Sequence, residues 1–428
     1  MADMTRWADP DHELLTARDK GIPQRAVGMA AAAFLAGRPR LGEFWTPLVV
    51  LDDEAMHHNV QIMAGWCRER GLEIMPHGKT TMAPTLWRRQ LAAGALGITL
   101  ATMGQARTAR SLGFDSIMLA NAAVDEGALR YLAGELADPE FRFVCWADST
   151  ATVEAMERGL RQARPPRPVD VCIELGAAGG RTGARTVAEG VDVAERIAAS
   201  EVLRLAGVAG YEGCLGHDRS PTALGAVRAY LASMIELHRA VAHLYDEGEV
   251  YVTAGGSAYF DLVAEEFAAA GAGRDRTRFT LRSGAYIVHD DGFYRGISPF
   301  DEGAAGLDAP RFRVAMRGLA RVVSHPEPGL ALLDGGKRDF PYDEGLPIPR
   351  LCAADLGGPW RPLSGTEVSA LNDQHSYLRM PDAAGLPVGS VVALGLSHPC
   401  TTFDKWRVLP VVESAASDVV VDLVRTYF

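Results

Sequence analysis

The sequence predicts an α/β protein in two parts, a (β/α)8 TIM-type barrel followed by a second, C-terminal β-rich domain. Between residues 72 and 288, eight apolar, β-branched runs alternate with helical segments. No Gly-x-Gly-x-x-Gly follows the first strand, which counts against a doubly wound open sheet. After about Ser298 the helical pattern gives way to short strand-like runs among glycine and proline turns.

Residues 1–45 read as an N-terminal helical arm, with an alanine-rich helix from Arg25 to Ala36 closed by Gly37-Arg38-Pro39. Residues 46–300 are assigned to the barrel and 301–428 to the β-rich domain. Pro47 to Asp52 is a strand, and Asp53 to Arg70 is a helix ending at Gly71. The eight barrel runs lie near 72–77, 97–101, 116–120, 141–147, 169–175, 203–209, 251–256 and 279–288. Helices are expected at about Ala83 to Leu96, Thr150–Gln162, Thr186–Ala199, Pro221–Asp246 and Phe260–Ala270. Because the count starts at 72, strand 47–52 is surplus to the barrel. In the second domain, strands are read at Phe312–Val323, Leu330–Leu333, Ser390–Leu394 and Val408–Val412, with Asp334-Gly335-Gly336 as a hairpin turn.

At 428 residues and 48% hydrophobic content the chain can bury two domain cores. A net charge of −11 with no long basic run argues against nucleic acid as a partner. No run reaches the length of a membrane span, and the N-terminus lacks the basic start and apolar stretch of a signal peptide. The six cysteines are scattered without paired spacing, which suits reduced thiols and a cytoplasmic location.

Chemistry concentrates at strand ends, where barrel enzymes keep their sites. The first run breaks at Pro76-His77-Gly78 and delivers Lys79, with His77 beside it. A lysine held there, poorly hydrated, can act as a neutral amine and form a Schiff base. The seventh run ends in Gly255-Gly256-Ser257, whose amides and hydroxyl suit a phosphate at the following helix N-terminus. Near the C-terminus stands His398-Pro399-Cys400. Proline at 399 is expected to hold His398 extended, and residues two apart in an extended chain share a face. Imidazole and thiolate then grip one zinc or similar divalent ion, with positions left for water and substrate.

Pro76-His77-Gly78-Lys79-Thr80 and His398-Pro399-Cys400 together resemble two motifs of one family. These are the fold-type III pyridoxal-phosphate enzymes of the alanine-racemase type, in the D-serine dehydratase and D-threonine aldolase branch. The resemblance covers roughly Thr46 to the C-terminus, leaves the arm outside, and places strand 47–52 in the second domain. It implies pyridoxal 5'-phosphate on Lys79 and a metal, Zn2+ or another divalent ion such as Mn2+ or Co2+, on His398 and Cys400. It implies Arg181 on the cofactor's phenolic oxygen, the Gly284 and Ala285 amides on its phosphate, and Tyr286 close by. Arg282 stands where racemases place an arginine on the pyridine nitrogen; a structural ion-pair role is equally open. Tyr211, in Tyr211-Glu212-Gly213, either meets the ring or fills the barrel top. His375, in Asn372-Asp373-Gln374-His375, matches an acidic-then-His segment with glutamine substituted, and is a catalytic candidate with Lys79 and His77. Lys337 reads as a decoy lysine in a turn.

The implied activity is a lyase for D-β-hydroxy amino acids, first of all a dehydratase that yields a keto acid and ammonia, because the dehydratases resemble His-x-Cys and the aldolases His-x-Asp. The alternatives are retro-aldol cleavage to glycine and an aldehyde, racemisation, or cofactor binding without turnover. The partners implied are a small amino-acid substrate and a second copy of the chain in a homodimer.

Overall fold

The computed structural model describes residues 13–271, 277–301, 310–381 and 385–428. Residues 1–12 of the expected arm and 302–309 at the start of the second domain lie outside the described residues.

Strand β1 (Leu48–Asp52) comes first, followed by the helix Asp53–Glu69. The next eight strands are β2 (Glu73–Ile74), β3 (Ile98–Leu100), β4 (Ser116–Leu119), β5 (Arg142–Ala147), β6 (Val169–Leu175), β7 (Leu203–Gly210), β8 (Val250–Ala254) and β9 (Thr277–Leu281). They pair in parallel in the order β2-β9-β8-β7-β6-β5-β4-β3. A parallel bridge from His77 to Thr99, with the Thr99 N–H donating to Pro76 O at 2.9 Å, joins the two ends and closes the ring. The strands are apolar on both faces, as a covered parallel sheet requires. Met75, Met118, Val144, Trp146, Cys172, Ala206, Ala209 and Tyr251 fill the interior as one cluster. Alternate residues such as Ile117, Cys145, Ile173 and Val208 pack outward under the helices. Several helices start on a side-chain cap: Thr102 accepts from Gln105 N–H, Asp125 from Ala128, Ser149 from Thr152, Thr186 from Glu189 and Ser220 from Ala223.

The second domain adds β10 (Met316–Glu327), β11 (Leu330–Leu333), β12 (Ile348–Ala353), β13 (Arg361–Pro362), β14 (Glu367–Leu371), β15 (Ser376–Arg379), β16 (Val391–Gly395), β17 (Val408–Val412) and β18 (Val420–Arg425). β1 lies in this sheet, antiparallel to β10 with Leu48 opposite Leu319, and parallel to β17. The sheet therefore takes its strands from both ends of the chain and brackets the barrel.

Two local expectations fail. The arm is not one helix from Arg25 to Ala36: the helix is Ala31–Leu35, flanked by 3-10 turns at Gln24–Ala26 and Leu41–Glu43. Gly28 has φ +89° and Ala30 is extended, bridged to Leu14, so a helix cannot run through. The arm instead lies along β18, where Val420 N–H donates to Pro39 O and Leu41 N–H to Asp418 O. Nor is Asp334-Gly335-Gly336 the hairpin turn, because β10 and β11 turn at 328–329, with Glu327 opposite Leu330. Asp334 accepts from Thr46 Oγ1 at 2.6 Å and from Arg321 N at 2.8 Å.

Candidate active site

A cavity of about 310 Å³ opens at the C-terminal ends of the barrel strands. Its wall combines the turn after β2, loops after the other strands, and His398 and Cys400 from the second domain. Gly78–Thr80 is a single 3-10 turn, anchored by Trp87 Nε1 donating to Gly78 O at 3.2 Å. A Cβ at Gly78 would lie 2.5 Å from Ile98 Cγ2, so only glycine packs there. That close packing aims Lys79 into the cavity. Burial lowers the Lys79 pKa; nearby Cys400 opposes the shift, and Arg181 and Arg282 reinforce it. Burial, followed by the charges of Lys79 and Arg282, holds the His77 imidazole neutral, well below its usual range. Its Nδ1 is buried without a hydrogen-bond partner among the described residues.

His398 and Cys400 meet in a way the sequence did not predict. His398 is not extended: φ 43° and ψ 82° put it in the left-handed region, at the N-cap of the short helix Pro399–Phe403. Pro399 occupies the first helical position, which its fixed φ favours. The strained His398 backbone is held by its N–H donating to Asp290 Oδ2 at 3.0 Å. Hydrogen bonding to Cys400 is the largest influence on the imidazole, which it raises to about 9 against burial, with the Cys400 and Asp343 charges assisting. Burial alone would push the Cys400 thiol up, but His398 and Thr80 bring it below its ordinary value. The donor set is therefore an imidazole beside a thiol inclined to ionise, which suits a zinc-like ion. Among the described residues no group of three or more His, Cys, Asp or Glu side chains forms a metal cage. The pair would leave other coordination positions to water or substrate.

Another part of the cavity lining fits a phosphate, with one correction. The Gly255 and Gly256 amides are already taken: they donate to Glu212 Oε2 at 3.0 Å and Oε1 at 2.6 Å. The amides of Ser257, Gly284 and Ala285, by contrast, donate to no protein acceptor among the described residues. A Cβ at Gly284 would fall 2.4 Å from His77 O, so the close approach of that loop to the lysine strand needs glycine. These free amides and the cavity fit pyridoxal phosphate attached through Lys79.

Arg282 is fully buried; Nη1 donates to Thr253 Oγ1 at 2.7 Å, Nη2 donates to Gly210 O, and the guanidinium lies 4.8 Å from the Trp146 ring centroid. Only its Nε lacks a partner among the described residues. Arg181 lies at the mouth with its guanidinium 4.7 Å from the Tyr211 ring centroid, and burial pushes the Tyr211 phenol up to about 12.

Lys79, His77, Arg181, Tyr211, Gly255, Gly256, Ser257, Arg282, Gly284, Ala285, His398 and Cys400 all line this cavity. Two candidates do not. His375 is exposed on the turn between β14 and β15, where its carbonyl accepts from Asn372 N–H. Tyr286 is buried away from the cavity, its ring centroid 6.0 Å from that of Phe312. Lys337 is an exposed turn residue. Sequence reasoning missed Asn121, Trp146, Glu174 and Tyr294, which line the same cavity. The first three follow or end β4, β5 and β6, so a survey of every strand end would have found them. Glu174 is buried at the end of an apolar strand, with its pKa raised by burial although Thr182 Oγ1 donates to it at 2.9 Å.

Comparison with known proteins agrees with this geometry. Residues 51–273, more than half of the chain, match the family model "Alanine racemase, N-terminal domain", and residues 315–412 match "Putative serine dehydratase domain". The chain is 27% identical over 373 residues to a D-threonine aldolase of Arthrobacter sp, covering 86% of this chain and 89% of that one. It is 24% identical over 400 residues to a D-threo-3-hydroxyaspartate dehydratase of Delftia sp. (strain HT23), covering 87% and 94%. The solved D-threonine aldolase from Filomicrobium marinum shares the fold, with TM-score 0.75 and 24% identity over 91% of this chain and 98% of that one. The chain belongs to the alanine racemase-type family of pyridoxal-phosphate enzymes, with a serine dehydratase-type domain following the barrel.

Proposed function

We propose that this protein is a pyridoxal-phosphate- and metal-dependent dehydratase for a D-β-hydroxy amino acid, releasing a keto acid and ammonia. The observation that carries this reading is the meeting of one half-buried amine, Lys79, with the His398–Cys400 pair in a single cavity. When bound, pyridoxal phosphate would supply an electron sink for charge at Cα, and a divalent metal a Lewis acid for the β-hydroxyl.

The chain's own groups would do the rest. Lys79 Nζ would hold the cofactor aldehyde and then, freed by substrate, take the Cα proton; burial favours its neutral form for that step. Ser257, Gly284 and Ala285 amides would seat the phosphate, and Arg181 the phenolic oxygen. His398 and Cys400 would hold the metal. His77, neutral in the fold, would not compete with Lys79 for positive charge.

Retro-aldol cleavage is the second reading, favoured by similarity to the Arthrobacter enzyme. The cysteine in His398-Pro399-Cys400 supports elimination over it, as does the serine dehydratase domain match across that motif. Incubation with D- and L-β-hydroxy amino acids, with and without zinc, separates the readings. Keto acid with ammonia indicates elimination; glycine with an aldehyde indicates cleavage and would displace the proposal. His375 is remote from the cavity of its own chain, so any role there would be across a homodimer, which sedimentation tests. No helix of the described residues is long and apolar enough to cross a membrane.

A further inference from the structure

The His398 imidazole is held by a carboxylate. Asp343 lies on the segment between β11 and β12, and its Oδ2 is 2.5 Å from His398 Nδ1. The other oxygen, Oδ1, accepts from Thr401 Oγ1 at 2.7 Å, so both oxygens of the carboxylate are engaged. The segment is pinned nearby, where Ser397 Oγ donates to Gly345 O at 3.1 Å. The main chain of His398 is fixed independently by Asp290, which also accepts from the Gly292 and Tyr294 amides at 3.0 and 2.9 Å.

A carboxylate at hydrogen-bond distance from Nδ1 requires the proton on that nitrogen. In the neutral imidazole the lone pair is then on Nε2, the nitrogen that Asp343 does not engage. An imidazole that ligates a metal is commonly held through its other N–H by a carboxylate, which fixes the tautomer and raises the basicity of the ligating nitrogen. We propose that Asp343 is the positioning residue of the metal site: it holds His398 as the Nδ1–H tautomer so that a divalent metal binds through Nε2, beside Cys400 Sγ. This rests on the reading of His398 and Cys400 as a metal pair. Asp343 is not itself a ligand in this arrangement, since its oxygens are turned to His398 and Thr401.

The test uses the full-length, cofactor-loaded protein and zinc as the probe, with affinity measured by competition against a chromophoric chelator. Asp343→Ala is expected to lose roughly 10–100-fold in zinc affinity, with the visible cofactor band and Tm retained. Asp343→Asn keeps an oxygen that can accept from Nδ1–H, and is expected to lose only several-fold. Wild-type affinity in either variant overturns the proposal. If Asp343→Ala fails to fold, Asp343→Asn decides: a several-fold loss supports the role and no loss overturns it. Equally large losses in both variants, with an altered cobalt(II) spectrum, would make Asp343 a ligand and also overturn it. A wild-type protein that binds no zinc would bring down the metal reading itself.

Discussion

Thr80 Oγ1 lies 3.4 Å from Cys400 Sγ, a contact between residues 320 positions apart. It ties the turn that carries Lys79 to the helix Pro399–Phe403 of the second domain. A second tie runs beside it, from Tyr427 N–H to Met82 O at 2.9 Å. The amine and the thiol are therefore neighbours because two domains are locked together at this seam, and each shifts the proton of the other.

Thr80→Val keeps the branched shape and removes the hydroxyl that donates to an ionised Cys400. A lost hydrogen bond of this kind is worth about 1 kcal/mol, or roughly fivefold. The variant is expected to retain zinc that much less well in a chelator competition. Unchanged retention would mean that the contact does not support the thiolate.

Lys79→Ala is expected to abolish both the visible absorbance of the bound cofactor and turnover. Survival of the band in the spectrum would show that another lysine carries the aldehyde. Cys400→Ala, or chelation of the wild type, should instead suppress keto-acid formation while leaving the band in place. Full activity without metal would remove the elimination mechanism proposed above.

Glu212 is fully buried and occupied by the Gly255 and Gly256 amides. Glu212→Ala leaves those amides without an acceptor, at a cost on the order of 1–3 kcal/mol for a buried donor. A lower Tm and weaker cofactor retention are expected, because the turn leading to Ser257 loses its anchor. Tighter phosphate or cofactor binding in the variant would show that the two amides serve the phosphate when freed.

His238 lies in the last turn of the helix Pro221–Ala240, half-buried, with Nδ1 2.9 Å from Tyr245 Oη, and burial lowers its pKa to about 4. The unfolded imidazole titrates near 6.5. Above that value its contribution to stability is complete. Between about 6.5 and 4 the unfolded chain takes up a proton that the folded chain refuses, so stability falls as the pH drops, by on the order of 3 kcal/mol. Urea midpoints of His238→Gln followed across this window should fall less steeply than those of the wild type. Parallel curves would show that the histidine is not responsible.

The barrel was legible because its strands are buried on both faces, so each one writes a local apolar run. The segments Phe260–Ala270, Leu330–Leu333 and Val408–Val412 match their observed elements end for end for the same reason: their periodicity and their breakers are adjacent in the chain. The arm was misread because alanine content promises a helix, whereas Gly28 and the Leu14–Ala30 bridge decide otherwise.

By itself the sequence determined which residues could carry chemistry: a lysine at a strand end, an imidazole and a thiol two positions apart, and glycines where a backbone must approach closely. Only the tertiary structure decided what those residues face. It turned His398 into a left-handed cap instead of an extended residue, set Asp343 behind it, took the Gly255 and Gly256 amides for Glu212, and left His375 outside the cavity. The physical reason is that a carboxylate finds its donors across space. Glu212 with Gly256, or Asp343 with His398, leaves no periodicity in the chain, and each pairing exists only once the barrel has closed and the second sheet is seated on it.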